Sequence, residues 1–332
     1  MTDYAVEATG LIKNFGETRA VDGVDLRVPT GAIYGVLGPN GAGKTTTLRM
    51  LLGIIDPDAG TRCVLGHGKP LEAASQIGYL PEERGLYPSM PVREAIAFLG
   101  NLRGLPLAEG RRRADRLLAE HGLAHVARRP VRTLSKGMAQ TAQLLGTLIH
   151  NPKLLVLDEP FSGLDALNQE KLEATIRGAA AQGTTVLFST HVIAHAERLC
   201  ERIAIIAGGK VRFEGAVDDA RAKLRPIVRL RTRELDGAWR GSIPVGIAPQ
   251  GRDWRFELPE SGVETLLKGL VEGGAGIDSL SIERPGLHDA FIAIAGHWLK
   301  GDDQRGPDQK DPSLLSMVAT EAGGLAAEGL AR

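Results

Sequence analysis

The segment Gly38-Pro39-Asn40-Gly41-Ala42-Gly43-Lys44-Thr45 has the composition of a phosphate cradle. It matches the pattern G-x-x-x-x-G-K-[ST], in which glycines permit a tight loop whose amide N–H groups turn inward as an anion nest. Lys44 offers a cation to β- and γ-phosphates and Thr45 a hydroxyl to Mg²⁺. A helix beginning there would present its positive dipole end to the same anions. A ligand-free Gly-rich turn is the competing reading. The apolar run before the loop and the helical pattern from Thr46 onward favour the cradle. Further along, the apolar run 154–157 ends in Asp158 and Glu159. Open parallel sheets bind ligands outside the carboxyl ends of their strands. Asp158 would then reach the Mg²⁺ on the phosphates, and Glu159 would polarise the attacking water as general base.

Positioning these groups requires strands that end together. Residues 32–37, 154–157, 185–188 and 203–206 are short apolar runs bounded by turn or polar residues, as buried strands are. Segments 45–53, 166–182 and 191–200 carry helical patterns. Strand–helix alternation predicts an α/β fold with a parallel sheet. Between 92 and 148 no strand is expected. Helices are predicted over 93–103, over 109–121 and from near Ser135, forming an inserted helical subdomain at about 90–150. Arg111, Arg112, Arg113 and Arg116 lie on the second of these, as a solvated face or as a patch for acidic lipid or a partner. From about Lys223 the pattern changes to strands over 226–233 and 254–258 and a helix over 263–272, a small α/β appendage. The polar, breaker-rich stretch 301–312 reads as a flexible linker, followed by a tail to Arg332.

Composition excludes several classes. The chain has 332 residues, with 40 Lys+Arg balancing 40 Asp+Glu. That balance argues against a global phosphate-binding field, and no nucleic-acid partner is expected. Cys63 and Cys200 sit in no CxxC or Cys/His cluster, so neither a disulfide scaffold nor a zinc site is expected. No apolar stretch approaches the roughly 20 residues that a membrane-crossing helix needs. The N-terminus lacks the basic and apolar regions of a leader. Any work at a membrane would therefore use a membrane protein supplied by another polypeptide.

Five marks in a fixed order give the chain a resemblance to the ATP-binding subunits of ABC transporters. After the phosphate loop comes Ile77-Gly78-Tyr79-Leu80-Pro81-Glu82, similar to that family's glutamine loop. Leu134-Ser135-Lys136-Gly137-Met138 is similar to its signature, and Asp158-Glu159-Pro160 follows. Ser162-Gly163-Leu164-Asp165 then resembles the D-loop and Ser189-Thr190-His191 the switch histidine. The resemblance implies a P-loop NTPase with a parallel sheet core, an N-terminal β subdomain and the helical insert, over residues 4–222. A C-terminal accessory domain would occupy 223–300 and the linker and tail 301–332. It also implies an ATPase that binds ATP and Mg²⁺ between two copies packed head to tail. Gly38 to Thr45 and Thr46 of one copy would face Ser135 and Gly137 of the other, in a homodimer or a heterodimer with a paralogous cassette. Phe15 matches the aromatic that stacks on adenine, although alone it would suit a core. His191 is implied as the γ-phosphate contact beside catalytic Glu159, and His195 is expected on the helix surface. Thr45, Asp158 and Glu82 are the implied metal-site residues.

Two departures stand out. Lys136 replaces a signature glycine, adding charge near the nucleotide or pointing to solvent. Glu82 stands where glutamine is usual, as a metal-linked group or as a partner of a base such as Arg84. The string from Leu80 to Pro88, with the LSKG signature and the stretch from Glu283 to Phe291, resembles a bacterial exporter subgroup that includes sodium-extrusion and drug-efflux systems. That likeness implies a cytoplasmic subunit, peripheral on the inner face of the cell membrane through a separate polytopic permease. A soluble ABC-type ATPase with a non-transport partner is the alternative.

Overall fold

The computed structural model describes residues 3–83 and 85–300, with side chains through Gly296. The expected linker and tail at 301–332, and Arg84, lie outside the described residues. The described chain up to Gly215 forms one compact unit and Ala216–Ala293 a second.

The first unit begins with two long strands, β1 (Tyr4–Phe15) and β2 (Thr18–Pro29), paired antiparallel. Next come β3 (Ile33–Leu37), α1 (Lys44–Leu51), β4 (Ala59–Val64) and β5 (Ile77–Leu80). β4 joins the far edge of β1, completing a three-stranded antiparallel sheet. Helices α2 (Val92–Asn101), α3 (Leu107–Glu120) and α4 (Lys136–Leu148) follow. They enclose a core of their own, centred on Val92, Ile96, Leu118, Ala142 and Leu145. Arg111 of α3 pairs with Glu94, while Arg112 and Arg113 pair with Glu109. Three of the four arginines of the stripe are thus ion-paired within the insert, two of them sharing Glu109.

β6 (Leu154–Asp158), α5 (Ala166–Ala181), β7 (Thr185–Thr190), α6 (Ile193–Leu199), β8 (Arg202–Ala207) and β9 (Lys210–Ala216) complete this unit. The main sheet has the order β5-β6-β7-β3-β8-β9, and the pairs from β5 to β8 are parallel. β3, β6 and β7 are buried throughout because both faces are covered. Tyr34, Val36, Val156 and Leu187 pack in one core with Leu11, Leu26 and Leu48 of the antiparallel sheet and α1. Helices α5 and α6 lie against β7 and β3.

The second unit contains α7 (Val217–Arg221), β10 (Ile227–Thr232), β11 (Asp253–Glu257), α8 (Gly262–Glu272) and β12 (Ile277–Glu283); α9 (Leu287–Lys300) begins in it. β10 is central, with antiparallel partners on both sides. Its core gathers Val228, Leu230, Trp239, Trp254, Phe256 and Leu270. The break after Gly215 falls earlier than the change of pattern near Lys223, because α7 groups with the second unit. β12 escaped the sequence reading: Ile277, Leu280 and Ile282 break strict alternation at Ser279, and no residue of the strand is fully buried.

Candidate active site

Register brings the predicted residues together. Leu37 pairs with Thr190, and Asp158 with Ser189. The residues that follow each strand, Gly38, Glu159 and His191, therefore emerge side by side at the carboxyl end of the sheet, where β3 is flanked by the later strands β7 and β8.

Sequence dictates the loop's shape. A side chain at Gly38 would strike the Ile206 carbonyl at 2.2 Å, and one at Gly43 the Ala20 carbonyl at 2.5 Å. Gly43 also has φ +99°, which L-residues rarely adopt. The loop is thus pressed between β8 and β2, and Ala42 is buried with it. Lys44 is 5% exposed, and its Nζ donates to the carbonyls of Gly38 at 2.8 Å and Pro39 at 3.1 Å. Glu159 Oε1 lies 3.3 Å from the same nitrogen. Thr45 and Thr46 occupy the first turn of α1.

The acidic pair is enclosed as well. Asp158 is fully buried, and its Oδ1 accepts from Thr45 Oγ1 at 3.0 Å and from Ser189 Oγ at 2.6 Å. Its Oδ2 is buried without a hydrogen-bond partner among the described residues. Such an oxygen beside a threonine hydroxyl suits a hard divalent cation. Glu159 has left-handed backbone, φ +46°, and its amide donates to Ser189 Oγ at 3.0 Å. Its Oε2 lies 2.9 Å from His191 Nδ1. Burial alone would raise the pKa of Glu159, but His191 and Lys44 outweigh it and hold the carboxyl below its usual range.

The remaining predicted residues stand apart from this knot. Phe15, at the tip of the β1–β2 hairpin, is 52% exposed and free to stack on a flat ligand, with Lys13 Nζ 5.9 Å from its ring. Ser135 caps α4 by accepting from Met138 N. Gly137 is buried where a side chain would strike Asn168 of α5. Among the described residues, neither Ser135 nor Gly137 hydrogen-bonds to the loop 38–45. Glu82 is exposed on the wall of a cavity of about 360 Å³, which Glu83, Lys136, Gln140, Glu159 and Ser162 also line. Lys136 is exposed, with its ammonium beside Gly163.

Two residues behave unlike their sequence reading. His195, expected on the surface, is 2% exposed: its ring stacks on Phe161 at 4.0 Å, and Nδ1 lies 3.0 Å from Glu173 Oε1. The helical spacing from His191 suggested an outer face, but α5 covers it. Ser189, read only as the start of the switch triplet, touches both acidic residues. A polar residue closing an otherwise apolar run was the signal available.

Known proteins share this architecture. Residues 21–162 match the family described as ABC transporter. The chain is 34% identical over 294 residues to an uncharacterized ABC transporter ATP-binding protein, YhaQ, of Bacillus subtilis, covering 86% of this chain and 96% of that one. It is 33% identical over 307 residues to the daunorubicin/doxorubicin resistance ATP-binding protein DrrA of Streptomyces peucetius, covering 88% and 93%. With the Nod factor export ATP-binding protein I of Ralstonia nicotianae it shares 41% over 209 residues, 62% of this chain and 65% of that one. A solved ATP-binding subunit of an ABC transporter superposes with TM-score 0.61 at 31% identity, over 66% of this chain and 92% of the other. A dimeric ATP-binding cassette bound to ADP and Pi shares the fold, with TM-score 0.58 at 24% identity over 64% and 98%. This chain belongs to the ATP-binding proteins of ABC transporters, a family of P-loop ATPases.

Proposed function

We propose that this chain hydrolyses ATP in a head-to-tail dimer and thereby drives export through a separate polytopic permease. The observation that carries the reading is the convergence of Lys44, Thr45, Asp158, Glu159 and His191 at one end of the sheet. Two relatives named for drug resistance and Nod factor export support the direction of transport. The dimeric cassette of like fold supports the pairing, homodimeric or with a paralogue. No helix among the described residues is long and apolar enough to cross a membrane. The permease is accordingly proposed as a second polypeptide, with this chain on the cytoplasmic face of the membrane.

Each residue has a task in this reading. The amides of residues 38–46 and Lys44 bind the phosphates, and Phe15 stacks on adenine. Ser135 and Gly137 face the nucleotide of the opposite copy. Thr45 and Asp158 would hold Mg²⁺, and Glu82 would approach it from the cavity wall. The ion, when bound, neutralises charge on the β- and γ-phosphate oxygens. Glu159 accepts the proton of the attacking water, and His191 holds that carboxylate and contacts the γ-phosphate. Phosphates compete with Glu159 for Lys44.

Phosphate release measured against protein concentration tests the dimer: specific activity should fall as the chain is diluted into monomers. Lys44→Ala should weaken ATP binding by roughly thirtyfold or more, since truncating one partner of a buried charged contact costs about 2 kcal/mol or more. Rates strictly first-order in protein at all dilutions would rule out the sandwich. Failure of any polytopic protein encoded beside the gene to co-purify would favour a soluble ATPase.

A further inference from the structure

We infer that Ser189 is a positioning residue that orients both members of the acidic pair through one hydroxyl. The inference rests on the site reading proposed above and extends it to a residue with no contact of its own to substrate.

A serine hydroxyl has one proton and two lone pairs. Here the proton goes to Asp158 Oδ1 at 2.6 Å, and a lone pair receives the Glu159 amide at 3.0 Å. Ser189 is fully buried, so no water can take over either bond. It closes β7 directly opposite Asp158, so sheet register alone delivers the hydroxyl between the two acids.

The two bonds have separate consequences. Asp158 Oδ1 is taken by two hydroxyls, Ser189 and the more distant Thr45. That leaves Oδ2 as the bare oxygen, buried and without a partner among the described residues. The carboxylate is therefore held in the one rotation that keeps a free oxygen for a cation. Thr45 would also serve the cation, whereas Ser189 serves only the acids and is the shorter of the two clamps. At Glu159, the backbone sits at φ +46°, which side chains disfavour. Fixing its amide to Ser189 holds that turn, and the turn sends the carboxylate to Lys44 and His191. A single hydroxyl thus links cation geometry to base geometry.

The test uses the full chain carrying Ser189→Ala, Ser189→Cys or Ser189→Thr. Alanine removes both bonds, and cysteine keeps the volume with a weak donor and acceptor. Threonine keeps the hydroxyl. Mn²⁺ binding in the presence of a non-hydrolysable ATP analogue is followed by the paramagnetic resonance of free Mn²⁺. Hydrolysis is measured against Mg²⁺ and ATP, and folding by thermal melting. Ser189→Ala and Ser189→Cys should weaken Mn²⁺ binding roughly tenfold or more, as loss of a partner that orients a metal ligand does. kcat should fall while the KM for ATP at saturating Mg²⁺ holds, and threonine should restore both quantities. Where alanine melts below the assay temperature, the cysteine variant decides. Folded Ala or Cys variants with wild-type Mn²⁺ affinity and kcat overturn the inference. So does a threonine variant as impaired as alanine, which would assign the effect to packing. A wild-type chain that neither binds Mn²⁺ with the analogue nor hydrolyses ATP would instead overturn the proposed function, and this inference with it.

Discussion

Strands β3, β6 and β7 of the first unit are buried along their whole length, whereas β10 and β11 of the second alternate between buried and exposed residues. The difference follows from layering. A parallel strand covered on both faces has no solvent side, so any polar residue at its end is buried unless a ligand or partner meets it. An antiparallel strand with one open face puts its charges in water: Arg229 and Arg231 of β10 pair with Glu283 and Asp253, with all four side chains at least half exposed. Among the described residues, Thr232 is the one buried polar residue of the second unit. The first unit buries Lys44, Asp158, Glu159, Glu173, Ser189 and His195, among others. Unpaired buried charge is expensive, so such groups persist where they are matched or where a ligand completes them. By this criterion the chemistry proposed above falls in the first unit, while the second buries little but apolar side chains.

The sharpest way to break this contrast is to remove the proposed base. Glu159→Gln preserves the shape and the His191 contact but cannot accept a proton. kcat should drop by about 10²–10⁴, with ATP binding retained. Single-turnover phosphate release with a parallel binding isotherm checks it. A kcat within threefold of wild type would assign the base elsewhere.

The next test strikes the other unit. Trp254 is 1% exposed, meets the edge of Trp239 at 5.1 Å, donates to Thr232 Oγ1 at 3.0 Å and carries the Arg240 guanidinium at 4.5 Å from its ring. Trp254→Ala should cost the second unit about 3–5 kcal/mol. Calorimetry should show a lowered transition for that unit. ATP affinity should stay within about twofold, because none of the proposed site residues lies beyond Gly215. A parallel loss of ATP affinity would show that the two units are energetically coupled.

Much of this arrangement was legible because the signals are local. The apolar runs at 32–37, 154–157, 185–188 and 203–206 became β3, β6, β7 and β8 within a residue or two of their expected ends. The glycines of the phosphate loop announced a backbone that no other residue permits at Gly43. What escaped depends on partners distant in sequence. The burial of His195 requires Glu173 on another helix and Phe161 on the strand-end loop. The role of Ser189 requires the register between β6 and β7. The path of Lys136 depends on the empty volume at Gly163. Periodicity reports which face of an element is apolar but not which neighbour covers it.

Glu173 makes the smallest and finest test, because it asks whether every buried charge of the first unit belongs to the chemistry. It lies on α5, accepts from Arg198 Nη2 at 2.6 Å and faces His195 at 3.0 Å; the His195 ring stacks on Phe161, which follows Glu159 by two residues. Burial alone would raise its pKa, but Arg198 and His195 outweigh it and leave the carboxyl below its ordinary range. The sign follows: a carboxyl with a lower pKa folded than unfolded contributes stability fully above the unfolded value. It loses that contribution as pH falls through the folded one. Arg198 is half exposed, so the contribution is screened and is on the order of 1 kcal/mol, or about 2–4 °C in melting temperature. Glu173→Gln should therefore melt below the wild type at pH 7. The gap should close as pH drops from the unfolded carboxylate value of about 4.3 toward 3. Melting curves at a series of pH values for both proteins check this, with kcat at pH 7 measured alongside. A gap that holds constant through pH 3 would mean that packing rather than charge is lost. A kcat that falls more than the stability loss explains would move this cluster from scaffold to mechanism, since Phe161 is the piece of chain through which it reaches the base.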